Sequence, residues 1–260
     1  MMIRNSFIFL NNFGYSKEKS LWNSGILSWE DFLKKKKICG LSKISKEKND
    51  RKIIDAERAL ESRNTEFFIK YFPKRESWRL YQEFKNSSIF LDIETDDYSK
   101  LTVVSLSDGY DSRTFIRGFN LDLKSIEKII SNYEMIVTFN GLSFDLRILG
   151  RHISFKNRIL LDLRPVFVRM GYNIGLKEIE RIFGISRSER VDGLKGEDAL
   201  FLWKNFLKTR NRKNLKLLIE YNYYDSWNLK PLAEIAYKKM REICFEREIK
   251  KRKSRIMINF

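Results

Sequence analysis

The chain has 260 residues, 43% hydrophobic and 14% aromatic, which is enough to bury a sizeable core and excludes a disordered polyelectrolyte. Its formal charge of +17 favours a polyanionic partner, either nucleic acid or an anionic membrane surface. A genome rich in Lys, Asn, Ile and Phe codons is the alternative source of that charge. Cys39 and Cys244 lack CxxC spacing, which excludes a disulfide framework and a cysteine zinc site and suits a reducing cytoplasm.

No part of the chain is apolar for long enough to predict a membrane segment. The first apolar run, Phe7–Leu10, is too short for the core of a signal peptide, and nowhere do about 18 apolar residues follow one another. The sequence therefore predicts a soluble, cytoplasmic protein that does not partner a membrane.

Residues 1–86 form a basic region whose patterns predict short helices. Ser28-Trp29-Glu30-Asp31 predicts a capping box that opens a helix over 29–34. Apolar residues at helical spacing predict further helices near 53–60 and 78–84.

Two features of this region indicate contact with phosphate. Phe9–Ser16 resembles the hairpin of a helix-hairpin-helix module, in which backbone amides contact phosphate without reading sequence. Asn11 and Asn12 stand where Pro and Gly are commoner, and a plain helical cap is the alternative. A run of four lysines is a candidate for contact with a nucleic-acid backbone, or else a solvated face: Lys34, Lys35, Lys36 and Lys37.

The pattern changes over residues 87–240, where strands alternate with helices. Compact apolar runs predict strands at 88–93, 101–106, 113–116, 135–139 and 159–163. Asp108-Gly109 predicts a hairpin between the second and third strands. Helices are expected over 121–130 and 143–151 and throughout the sequence after Pro165, the longest over 214–240. An antiparallel meander followed by helix, strand, helix and strand predicts an α/β domain with a mixed five-stranded sheet flanked by helices.

Residues 241–260 form a basic tail or an extension of the last helix. Four of its cations are candidates for phosphate contact: Lys250, Lys251, Arg252 and Lys253.

Carboxylates follow the first predicted strand. Asp92 and Glu94 lie two apart, so both point to one side of the sheet while Ile93 enters the core. Neighbouring carboxylates repel unless cations neutralise them, and oxygen ligands suit Mg²⁺ or Mn²⁺. The alternative is an acidic strand end without a function, as Asp96 and Asp97 are interpreted.

Two further segments carry acidic residues that could lie near Asp92 and Glu94. Ser143 is predicted to cap a helix whose first turn carries Asp145, and a parallel arrangement of the strands would bring Asp145 near the first pair. Tyr221 and Asp225 are four apart on a predicted helix, so a phenol and a carboxylate share a face. The alternative for Asp145 is a favourable charge at a helix N-terminus without a catalytic role. The alternative for Tyr221 and Asp225 is an ordinary amphipathic helix.

Together these motifs resemble the DEDD, or DnaQ-like, exonuclease superfamily, which has an RNase H-like fold. Tyr221 four positions before Asp225 resembles its tyrosine branch. Within that branch, Leu91–Thr95, Thr138–Leu146 and Tyr221–Asp225 resemble the YprB-type ribonuclease-H-like proteins. Asp162 and the helix opening Gly175-Leu176-Lys177 are further similarities, whereas Asp96 and Asp97 replace the usual Gly after the first motif.

The resemblance implies a metal-dependent 3′→5′ exonuclease with two divalent ions, Mg²⁺ or Mn²⁺. It implies that Asp92, Glu94, Asp145 and Asp225 bind the metals and that Tyr221 orients the attacking water. Asn140 and Lys177 are expected to contact the nucleic acid. DNA and RNA fit equally. A non-cleaving nucleic-acid-binding scaffold and an RNase H-like endonuclease are the alternatives.

Overall fold

The computed structural model describes residues 1–258, apart from the side chains of Lys253 and of residues 255–258. Contacts divide the chain into two compact units. The first contains Met1–Lys85, Asn157–Ile159 and the residues from Tyr237 onward, and the second contains Asn86–Lys156 and Leu160–Ala236. In the described part of the chain, no helix is long and apolar enough to cross a membrane.

The first unit is helical, as the sequence predicts. Its helices are α1 (Tyr15–Asn23), α2 (Trp29–Lys34), α3 (Lys43–Glu61), α4 (Thr65–Tyr71), α5 (Tyr81–Phe84) and α13 (Arg247–Ile258), with short 3-10 helices at Ile3–Asn5, Lys74–Leu80 and Lys85–Ser87 and a π-helical turn at Glu242–Glu246. Ser28 and Asp31 form the predicted capping box of α2. In the core, the buried Arg79 pairs with Glu18 at 2.8 Å and with Glu76 at 2.6 Å, which compensates its charge.

The second unit contains the strands β1 (Ser88–Thr95), β2 (Leu101–Ser107), β3 (Ser112–Ile116), β4 (Met135–Thr138) and, except for its first residue, β5 (Ile159–Asp162). Their order in the sheet is β3-β2-β1-β4-β5, with β1 antiparallel to β2 and parallel to β4. The flanking helices are α6 (Leu123–Ile130), α7 (Asp145–Leu149), α8 (Leu163–Arg169), α9 (Leu176–Ile182), α10 (Gly196–Thr209) and α11 (Arg212–Trp227), and α12 (Leu229–Arg241) continues the chain. The predicted fold class, a mixed five-stranded sheet with flanking helices after a helical N-terminal region, is confirmed.

The two faces of the sheet differ because side chains alternate along β1. Leu91 and Ile93 enter a buried cluster with Ile126 of α6 and Leu149 of α7. Asp92 and Glu94 point to the other face, opposite Ser105 and Val103 of β2. That face is covered by α10 and α11, whose Trp203 and Leu218 share a buried cluster with Val103.

Two predictions about helices are wrong. The helix expected over 214–240 is two helices, separated at Asn228, whose side-chain amide donates to Glu180 Oε1 at 3.1 Å. Ser143 does not cap α7: its hydroxyl donates to the Asn140 carbonyl oxygen at 2.8 Å, and the helix begins at Asp145 without a side-chain cap. At Ser143, a bond to the preceding turn replaces the cap that the sequence favours. At Asn228 the backbone still bonds to Tyr224, at 3.0 Å, and the side chain makes the additional contact with Glu180.

Candidate active site

Three carboxylates converge on the face of the sheet that α11 covers. Asp92 and Glu94 leave β1 on that face, and Asp225 approaches them from α11. Each offers an oxygen, and these oxygens lie within 4.8 Å of one another. Ser226, next to Asp225, donates from its hydroxyl to Ser105 Oγ of β2 at 3.0 Å, which fixes the helix against the sheet.

A fourth carboxylate, that of Asp145, lies beside this group. It is the first residue of α7, and its Oδ1 accepts a hydrogen bond from the backbone N–H of Ile93 at 2.9 Å. Ile93 stands between Asp92 and Glu94 on β1. Asp145 is therefore adjacent to the converging three, although the set of oxygens within 4.8 Å of one another does not include it.

The loop that carries Asp145 is held by another carboxylate. Asp162, at the end of β5, accepts the N–H of Asn140 at 2.7 Å and that of Leu142 at 3.1 Å. A Cβ at Gly141 would lie 2.5 Å from the Thr138 side chain, so a larger residue would force the loop to shift. Asp162 thus positions Asp145 through the backbone.

The surroundings raise the pKa of all four carboxyl groups above their ordinary values. Burial, with neighbouring carboxylates adding to it, raises the pKa of Asp92 and of Glu94 well above the ordinary value. Burial also raises the pKa of Asp145, to about 7, against the opposing hydrogen bond from Ile93. The pKa of Asp225 is raised by burial too, while nearby cations act against the shift. A divalent cation would lower these pKa values, because it stabilises the ionised form.

Tyr221 lies one turn before Asp225 on α11 and is buried. Lys177 of α9 donates to its phenolic oxygen, and the Lys177 Nζ lies 3.7 Å from the ring centroid. Burial raises the pKa of Tyr221, so the phenol keeps its proton at neutral pH. A hydrogen bond from that phenol lowers the pKa of Asp225.

A buried arginine completes the charges around Asp225. The Arg187 guanidinium lies 2.5 Å from Asp225 Oδ1, in an ion pair whose atoms are not aligned for a hydrogen bond. It also donates to both oxygens of Glu180, at 2.5 and 2.7 Å. Both side chains are only 2% exposed, and Asn228 donates to Glu180 from the end of α11. Arg187 is therefore held in place from one side and faces Asp225 from the other.

Sequence reasoning missed Arg187, Glu180, Asn222 and Asn228. Asn222 donates from Nδ2 to Asp92 Oδ2 at 2.6 Å and so links α11 to β1 directly. Its place inside the Tyr221–Asp225 motif was a usable signal. Arg187 lies in a loop with no local pattern, so nothing in the sequence pointed to it.

The residues predicted to contact nucleic acid occupy different surroundings. Asn140 accepts from Arg164 and Ser143 through its side-chain oxygen, at 3.0 and 3.1 Å. Lys177 lies at the candidate active site, where it donates to Tyr221 beside the carboxylates.

The predicted basic segments lie in the first unit. Lys34 pairs with Glu30, while Lys36 and Lys37 line a groove of about 610 Å³. In α13, Lys250 is exposed, Lys251 pairs with Glu248 at 3.2 Å and Arg252 donates to the Asn23 carbonyl oxygen at 3.2 Å. The side chain of Lys253 lies outside the described residues. Phosphate contact by these cations stays a prediction.

The mixed sheet and the carboxylates on its first strand define an α/β domain with an acidic centre that could hold a metal ion. The family model RNase_H_2, described as RNase_H superfamily, matches residues 89–237, which is more than half of the chain. The chain belongs to the RNase H superfamily, whose members are mostly nucleases, and its fold is RNase H-like. Nucleic acid is the substrate class that this family implies. A search of curated proteins found no match.

Proposed function

We propose that the chain is a metal-dependent 3′→5′ exonuclease of the DEDD type, in the tyrosine branch and similar to the YprB-type proteins. It hydrolyses phosphodiester bonds of DNA or RNA from the 3′ end and releases nucleoside 5′-monophosphates. The observation that carries the proposal is the pairing of Tyr221 and Asp225 on α11, directly opposite Asp92 and Glu94 of β1.

The residues present fit divalent metal ions. The converging donors are all oxygen atoms, which Mg²⁺ and Mn²⁺ prefer. The buried Asn222 Oδ1 has no hydrogen-bond donor in the described part of the chain, while Asp225 Oδ1 is held by the ion pair with Arg187. When bound, two ions would neutralise the carboxylates and polarise the phosphodiester. Asp92, Glu94 and Asp225 would hold them, and Asp145 would organise the cluster.

Tyr221 acts on the attacking water. The Lys177 ammonium can only donate, so the phenolic oxygen accepts from it and the phenolic proton points elsewhere. The phenol donates that proton to Asp225. Donation of the same proton to the attacking water would orient the other lone pair of that water toward phosphorus. Arg187 and Asn222 orient the carboxylates of Asp225 and Asp92 and keep their remaining oxygens directed into the site.

The test uses single-stranded DNA and RNA oligonucleotides labelled at the 5′ end, incubated with Mg²⁺ or Mn²⁺. We expect the label to move stepwise through shorter products, and we expect mononucleotides when the label is at the 3′ end. Asp92→Asn should lower the rate by at least about 10²-fold, since it removes a ligand from the metal cluster.

The matched control is Asp97→Asn, because Asp97 is an exposed carboxylate three positions after Glu94 and pairs with Lys204 at the surface. It should cleave at the parent rate. Cleavage that persists in EDTA would contradict the proposal. Internal fragments without shortening would indicate an endonuclease, and binding without any product would indicate a non-cleaving scaffold.

A further inference from the structure

A groove of about 460 Å³ lies on the second unit beside the first half of α11. We propose that the groove binds single-stranded nucleic acid, namely the part of the strand that lies several nucleotides away from the end held at the candidate active site. Its apolar floor is formed by Phe206, Leu215 and Ile219, and Phe119 stands at its edge. Binding of a single strand in the groove does not depend on the proposed exonuclease function. The statement that the bound strand continues to the cleaved bond does rest on that function.

The rim of the groove is positively charged. Arg210, Arg212 and Lys216 line it and are exposed, and none of the three forms an ion pair within the described residues. No carboxylate is among the residues that line the groove. Unpaired cations over an apolar floor complement a polyanion that also carries flat apolar groups, which describes a nucleic acid.

The aromatic ring at the edge favours single strands over duplexes. Phe119 is 65% exposed, and its ring centroid lies 6.1 Å from that of the buried Phe206. Its turn is rigid, since Asn120 accepts the N–H of Ile116 at 2.8 Å and donates to the Thr114 carbonyl oxygen at 3.0 Å. An exposed ring held in this way can stack on a base. In a duplex the faces of the bases are already stacked on one another, so only a single strand can use the ring.

The groove and the carboxylates share one helix. Lys216 and Asp225 are nine positions apart on α11, which at 1.5 Å per residue is about 13.5 Å along the helix axis. At an axial rise of roughly 3.4 Å per nucleotide in a stacked strand, this distance corresponds to about four nucleotides. A substrate of one or two nucleotides at the carboxylates would therefore not reach the groove.

The first experiment measures binding in the Asp92→Asn background, by fluorescence anisotropy of a labelled 12-nucleotide single strand. Phe119→Ala should weaken binding about five-fold to a hundred-fold, the range expected for loss of one base–aromatic stack. The slope of the logarithm of the binding constant against the logarithm of the salt concentration should become shallower by about 1.4 when both Arg212 and Lys216 are replaced by Ala. This value is about 0.7 for each lost phosphate contact.

Two controls match these changes. Phe201 of α10 is 61% exposed but does not line the groove, so Phe201→Ala removes an exposed ring elsewhere. Lys128→Ala removes an exposed charge from α6, on the other face of the sheet. Both should bind the strand as the parent does. Equal affinity of Phe119→Ala and Phe201→Ala for the single strand would overturn the proposal. The groove would then be a candidate site for a different partner, such as an acidic protein. An equal loss for a blunt 12-base-pair duplex would also overturn it.

The second experiment compares turnover of the 12-nucleotide strand with that of the p-nitrophenyl ester of thymidine 5′-monophosphate. Phe119→Ala, with Asp92 intact, should lower the ratio of strand to ester turnover, because only the strand reaches the groove. An unchanged ratio would contradict the inference. If the parent protein hydrolyses neither substrate, the exonuclease proposal fails, while the binding measurement still decides the groove.

Discussion

Arg187→Met tests whether the buried guanidinium holds the candidate active site together. Methionine keeps an unbranched side chain of similar length but removes the charge and all of the hydrogen-bond donors. Glu180 would lose both of its bonds to Arg187, at 2.5 and 2.7 Å, and Asp225 would lose its ion pair at 2.5 Å. Two buried carboxylates would then lack their shared cation.

The expected loss of stability is large. Removing one partner of a buried ion pair typically costs about 3–5 kcal/mol, because the remaining charge stays buried without compensation. Protonation of Glu180 and Asp225 would limit the cost. Burial already raises the pKa of both, and removing the cation raises them further. A carboxyl group with a raised pKa in the folded state loses stabilising free energy as pH rises through that pKa. The deficit of Arg187→Met should therefore be smaller near pH 5 than near pH 8.

Urea denaturation at several pH values, without metal, measures this effect. The matched control is Arg181→Met, since Arg181 pairs with Asp192 at 2.9 Å while both side chains are more than half exposed. An exposed pair contributes about 0–1 kcal/mol, so this variant should unfold almost as the parent does. Arg187→Lys should fall between the two, because one ammonium cannot match the fork of the guanidinium. The reasoning is refuted if Arg187→Met and Arg181→Met lose the same stability with the same pH dependence.

Four further expectations follow from the site. Since the pKa of Asp145 is raised to about 7, the unfolding free energy of the metal-free protein should fall as pH rises from about 4 to 7. Mn²⁺ should restore this free energy near pH 8, and EDTA should reverse the effect of the metal. Thermal denaturation measures both effects, and a flat pH profile would contradict the reasoning. Tyr221→Phe should lower turnover on the order of 10²-fold with affinity for the oligonucleotide nearly constant, and full activity would remove the phenol from the mechanism. Asp162→Ala should cost about 1–3 kcal/mol and slow cleavage, since the backbone N–H groups of Asn140, Leu142 and Arg164 lose their acceptor; urea titration with a rate assay checks both. Truncation after Glu246 should make the slope of the logarithm of the binding constant against the logarithm of the salt concentration shallower by about 0.7–0.9 for each lost phosphate contact. An unchanged slope would show that the tail does not contact phosphate.

The strands and their pairing could be predicted because the local pattern and the tertiary environment agree. Each predicted strand lies within a residue or two of an observed one, and the hairpin signal at Asp108-Gly109 does join β2 to β3. The D-x-E pair on β1 and the parallel neighbour β4 together predicted that Asp145 would lie nearby. Burial on both faces makes such strands almost continuously apolar, so their signal is strong.

The support around the carboxylates could not be predicted, because it depends on contacts between distant segments. Arg187, Glu180 and Asn228 come from a loop, from α9 and from the end of α11, and none lies in a motif. A charged residue in a polar loop is usually solvated, and only the fold shows that this one is buried. Nor did the lysine of Gly175-Leu176-Lys177 carry a sign that it would contact Tyr221.

The incorrect prediction of one continuous helix over 214–240 has a physical basis in the same site. Apolar spacing continues through residue 228, and the local sequence gives no reason for a helix to end there. The structure ends α11 at Trp227 and uses Asn228 to donate to Glu180, which in turn holds Arg187 against Asp225. Places where a local preference is overridden are often those that serve a functional site. On this reasoning, Asn228 helps to position Asp225, three residues before it, through Glu180 and Arg187.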